Sequence, residues 1–330
     1  MPPWGNANVI EVGIAHQQLT RFTATALFTA AGAAAWDTWW HVAVGRDTFW
    51  EPPHLLLYAA MLAALAAAAY GWHRSGEAAW RRLAIVLALI PLLAPFDALW
   101  HRWFGGAEAL SSPLSIWSPP HAAFVVATIG GFSLLLPLIR RDADVSARRL
   151  FGGLSFAAVL ASLLFLTVPL QPTGPHALMG FWGAGVAAAA FAGVLLIAGR
   201  WLPGLGGATL VAALFLLLNT LGPEGHEANL SAHDHPPAWL VTFSFLVPAL
   251  LLDLLKRPPD WLRGAMAGVL WGAILYGLSP RFFRPEFQYG AADALIAIVT
   301  SLLGGGFAGI LAAKIFPPTA GSSPKSASSP

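Results

Sequence analysis

Cysteine is absent from the 330-residue chain, which excludes disulfides, thiolate metal sites and cysteine-based copper trafficking. Methionine numbers only four, so a Met-rich cuprous relay is not expected. Charge is the third scarcity. Asp, Glu, Lys and Arg make up 10% of the chain, where a soluble domain carries about 25%. The basic balance, a formal net charge of +2, is spread over loops and forms no nucleic-acid surface. What fills the space is apolar, with 57% hydrophobic residues. Backbone polar groups in lipid must be satisfied internally, which leaves helices or closed barrels. Ala/Leu/Val runs of about 20 residues without period-two alternation choose helices.

The runs predict an all-α polytopic membrane bundle of about ten transmembrane helices. They fall near 17–41, 53–72, 80–102, 120–139, 149–169, 175–199, 203–221, 236–256, 261–279 and 290–315. The first run carries Asp37 and does not read as a cleavable signal. The end, "PPTAGSSPKSASSP", has the composition of a disordered tail. Of the 18 Lys and Arg, all but Arg46, Arg102, Arg281 and Arg284 fall on the side of the two termini. The positive-inside rule then predicts cytoplasmic termini in an inner (plasma) membrane. Eight of the ten histidines gather at the opposite, outward ends of the spans, and only His16 and His73 lie inward.

With thiols absent, imidazole and carboxylate remain as metal ligands, and the chain sets them in a repeat. Asp37-x3-His41 and Asp97-x3-His101 are 60 residues apart, each with a Trp before its His. Each is followed by a span that opens on Pro-Pro-His: Pro52-Pro53-His54 and Pro119-Pro120-His121. Residues i and i+4 share a helix face, and prolines suit a helix start. Two copies of one helical hairpin are therefore expected, each bringing an Asp and two His to one lip.

Electrostatics suggests a cation there. An acid near a helix C-terminus is disfavoured by up to about 1 kcal/mol, and membrane burial adds about 2.5–3.5 kcal/mol. Two imidazoles and a carboxylate suit copper or non-haem iron and leave coordination positions open. An Asp–His hydrogen-bonded cap without metal is the plainer reading of one hairpin; the repetition in register speaks against it. The tryptophans around these motifs read as an interfacial belt. In the second half, His226, His233 and His235 sit in "GPEGHEANLSAHDHPPAW", and His176 opens the sixth span. These four are candidate accessory metal ligands, with a solvated polar loop as the alternative.

Asp37-x3-His41-x12-His54, with Trp40, Arg46-Asp47-Thr48, Trp50 and Pro52 around it, resembles the copper motif in the C-type subunit of the copper membrane monooxygenases. These are the particulate methane and ammonia monooxygenases. The resemblance covers the first four spans. It implies copper, rather than iron or zinc, at Asp37, His41 and His54. It also implies a second set at Asp97, His101 and His121, where that family has Asn in place of Asp. The expected organisation is copper-binding hairpins of the C-type over 1–145, additional spans over 146–316 and a tail over 317–330. No counterpart of the second half is recognised in the C-type family. The monooxygenases' A-like and B-like subunits, or another electron donor, would be the expected partners beyond the bilayer, alongside homo-oligomers.

Two functions follow from this reading. One is a copper-dependent membrane oxidoreductase that hydroxylates a small apolar or amine substrate, its metal sites facing outward. The other is a non-catalytic protein of metal uptake, storage or delivery. A carrier with Asp–His proton relays fits less well, because the inward halves of the spans are almost uncharged.

Overall fold

The computed structural model describes residues 9–44, 50–104, 119–167, 183–220, 238–278 and 290–315, with the side chains of 9–14, 38, 41–43, 97–98, 101, 104, 121 and 238 outside that description. Among these residues all regular structure is helical. The helices are α1 (Val9–Ala43), α2 (Pro52–Ser75), α3 (Ala78–Phe104), α4 (Pro119–Ile139) and α5 (Val145–Thr167), then α6 (Gly183–Trp201), α7 (Gly207–Asn219), α8 (Ala238–Leu254), α9 (Asp260–Leu278) and α10 (Ala291–Ile315). They coincide with the ten apolar runs. The largest offset among the described residues is at α1, which begins at Val9 rather than near 17, and the expected start of the sixth span at 175 lies outside the described residues.

Seven of them, α2 to α6, α9 and α10, are long and apolar enough to cross a membrane. The chain is a multi-pass membrane helix bundle. Leu92, Phe96, Leu303 and Phe307 are each more than half exposed, an arrangement suited to lipid rather than water. α1, with 35 residues, is long but more polar, and three of its hydroxyls are satisfied within the helix. Thr20, Thr23 and Thr25 donate to the carbonyls of His16, Leu19 and Arg21 at 2.9, 2.8 and 3.0 Å. α7 has 13 residues; at about 1.5 Å per residue it reaches about 20 Å of the roughly 30 Å hydrocarbon core.

Turn chemistry sets the hairpins. Gly76 ends α2 in the left-handed region (φ 66°), donating its N–H to Trp72 O, and Glu77 alone separates it from α3. α1 packs on α2, α2 on α3, α3 on α4 and α4 on α5, while α1 also touches α4 and α5. The first five helices therefore close on themselves. In the second half α7, α8, α9 and α10 each contact α6, and consecutive members of that series contact each other. α6 can take four neighbours because it is built of small residues, "GAGVAAAAFAG". Its buried Phe191 packs with Phe245 and Trp271 at centroid distances of 5.3 and 5.8 Å. α5 joins the halves through α1, α6 and α7.

One end of the bundle is fastened by ion pairs. Arg21 on α1 donates to both oxygens of Asp142, between α4 and α5, at 2.7 and 2.8 Å. Arg141 pairs with Glu77, and Arg200 at the end of α6 pairs with Asp260 at the start of α9. Arg263 bonds Asp260 at 2.9 Å and the Leu252 carbonyl at 2.7 Å, tying α8 to α9. Asp253 and Asp293, acids in or near apolar runs, prove to be caps. Asp253 on α8 accepts from the N–H of Ala208 (3.2 Å) and the N–H and Oγ1 of Thr209 (2.8 and 2.7 Å). It thereby satisfies the N-terminus of α7, whose own cap, Gly206, has no side chain. Asp293 accepts the Gly290 N–H at 3.1 Å, in the first turn of α10.

Candidate metal centre

At the opposite end, α1 finishes and α2 begins. Asp37 lies near the C-terminus of α1; His54 is the third residue of α2, behind Pro52 and Pro53. The packing of α1 on α2 turns this sequence spacing into proximity. His54 Nε2 stands 3.0 Å from Asp37 Oδ1, each side chain 19% exposed. The imidazole is oriented by Tyr58, one turn on, whose ring stacks on it at 5.8 Å with a 20° interplanar angle.

Glu51 completes the group. Ligand atoms of Asp37, Glu51 and His54 lie within 4.8 Å of one another, and Glu51 is buried. Two carboxylates and an imidazole at this spacing form a donor set able to chelate a metal ion. The sequence reading missed Glu51, although one signal was present: an acid directly before Pro-Pro-His, at a helix N-terminus where a negative charge is favoured.

His41 lies on α1 one helical turn after Asp37; its side chain is outside the described residues. The same holds for Asp97, His101 and His121, on α3 and α4. Their helices pack together, and the backbone puts Asp97 and His101 near the end of α3 and His121 at the start of α4. His176, His226, His233 and His235 lie outside the described residues altogether. Beside the second hairpin runs an apolar groove of about 400 Å³, lined by Leu93, Phe96, Trp100, Trp103, Pro119 and Pro120 among others. At the end of α1, Trp40 sits edge-on to Trp36 and Trp39, with ring centroids 6.0 and 6.4 Å away.

Fold and site together define the class: a polytopic α-helical membrane protein with a buried His/Asp/Glu cluster able to hold a metal. No family model, no curated protein and no solved structure matches the chain.

Proposed function

We propose that this chain is an integral membrane copper protein of the monooxygenase type, similar in its first hairpins to the C-type subunit of the copper membrane monooxygenases. The observation that carries the reading is the 3.0 Å approach of His54 Nε2 to Asp37 Oδ1 across two helices, at two positions of the copper motif. With no matching family, the likeness rests on the motif residues alone. Asp37 supplies charge balance, His54 an Nε2 fixed by the Tyr58 stack, and His41 the third position of the motif. The second set, Asp97, His101 and His121, is proposed on the repeat alone. Copper, when bound, supplies dioxygen binding and electron transfer.

The groove beside α3 and α4 is apolar, a surface onto which a small apolar substrate can partition from lipid. Hydroxylation also needs a reductant, which is where an electron donor or A-like and B-like subunits would act. A second reading is metal uptake or delivery, favoured by the 19% exposure of Asp37 and His54, which leaves the site within reach for exchange.

Copper content and EPR of the purified chain test the centre. A nitrogen-split type-2 signal is expected, with one copper for each loaded hairpin, and Asp37→Ala or His54→Ala should remove the first hairpin's copper and its share of the signal. Copper content and signal unchanged in both variants reject the assignment. Oxidation of a short alkene or ammonia by copper-loaded protein with a reductant separates enzyme from carrier; loading without turnover, even with partner subunits, favours delivery.

A further inference from the structure

Glu51, which the copper motif leaves out, is the most buried member of the cluster. It is 4% exposed, against 19% for the side chains of Asp37 and His54. Its backbone is extended (φ −64°, ψ 150°) at the N-cap of α2, yet its side chain makes no cap hydrogen bond. Pro53, at the second helical position, brings no N–H, which removes one of the two donors that usually engage an N-cap side chain and leaves that of His54. The carboxylate lies instead with Asp37 and His54, all three offering ligand atoms within 4.8 Å.

We infer that Glu51 is a third protein ligand, and that by giving the site two negative charges it selects a divalent ion, copper(II) or zinc(II), over copper(I). The inference rests on the reading of Asp37 and His54 as a metal centre. Two carboxylates neutralise a dication, whereas with a monovalent ion the buried site keeps a net negative charge that low-dielectric surroundings penalise. Carboxylate oxygen is also a poor partner for soft copper(I). The second hairpin reads Ser118-Pro119-Pro120-His121, so in sequence it has a serine where the first has Glu51. The two hairpins therefore differ by one carboxylate.

The test uses the full-length, metal-free protein in nanodiscs, titrated with copper(II), zinc(II) and copper(I) against a competing chelator. Glu51→Gln keeps the shape and removes the charge; Glu51→Asp keeps the charge; His54→Ala is the control for the centre. Glu51→Gln is expected to weaken copper(II) and zinc(II) binding by about tenfold to a hundredfold and copper(I) by less than about threefold. Glu51→Asp should keep the copper(II)/copper(I) affinity ratio within about threefold of the parent. In the copper(II) EPR spectrum of Glu51→Gln, the nitrogen splitting should persist while g∥ moves, a change that a merely structural role would not produce.

Should Glu51→Gln aggregate, Glu51→Ser, which copies the residue of the second hairpin, is the second neutral variant. Equal losses for both copper valences, or no loss of either, overturn the role of Glu51 while the centre stands, provided His54→Ala abolishes binding. Absence of binding by the parent, or binding indifferent to His54→Ala, overturns the centre itself and this inference with it.

Discussion

Asp142, its side chain 3% exposed, receives two hydrogen bonds from Arg21, and these hold its carboxyl below the usual carboxylate range. The Asp144 N–H and the charges of Arg21 and Arg148 add to the effect, while burial opposes it. A depressed folded value means that the interaction stabilises the protein above the ordinary carboxylate pKa and is lost as the pH falls through the folded value. Thermal unfolding of the purified protein should show it. Asp142→Asn is expected to cost about 1–3 kcal/mol at pH 7, and the difference should vanish on acidification well below about pH 4. At this scale the approach of His54 to Asp37 was legible, because a short loop between two helices and a Pro-Pro helix start are local rules. Glu51 was not, since an acid before a helix reads as its cap, and the proline at the second helical position removes only one of the donors that role uses. Asp253 was opaque for the opposite reason. It caps a helix other than its own, and the need for it lies in Gly206, a cap without a side chain.

Among the elements, the α9–α10 pair is the most tightly joined. Gly264, Gly268 and Gly272 on α9 face Ser301, Gly305 and Gly309 on α10, with a Cβ at Gly264 or Gly268 meeting backbone of the other helix. Without a hydrophobic drive between helices in lipid, such close backbone approach is a main source of association. Gly268→Leu should therefore separate the pair and destabilise the protein by at least about 3 kcal/mol. Gly277→Ala, where the added carbon meets only the Ile298 side chain at 3.8 Å, should leave the melting temperature nearly unchanged. A scanning melt of both variants in one detergent checks this. The ten helices were legible because apolar run length and the absence of period-two alternation decide them. Partner choice was not, since small residues spaced by four occur on α9 and α10 alike and spacing does not say which stripe meets which.

For the whole molecule, ion pairs gather at one end and the candidate metal centre at the other. The proposal that the basic end is cytoplasmic entails a cluster on the outward side. The chain has no cysteine, so single introduced thiols report sidedness against a silent background. Trp50→Cys, at a residue 70% exposed beside the cluster, is expected to react with an impermeant maleimide on intact cells. Ala143→Cys, exposed at the ion-pair end, should react only after permeabilisation. The reverse pattern would invert the topology. Overall class was legible from composition; the wrapping of α7 to α10 around α6 was not, because it depends on small side chains admitting neighbours from distant parts of the chain.

The first two helices meet other parts of the protein unequally. α1 is stitched to the α4–α5 turn by Arg21, whereas α2 packs chiefly between α1 and α3, and at its outer tip Glu51 and His54 reach across to Asp37. A cation seated there would act as a clasp, closing the rim where α1 ends and α2 begins, at the opposite end of α2 from the turn at Gly76 that joins it to α3.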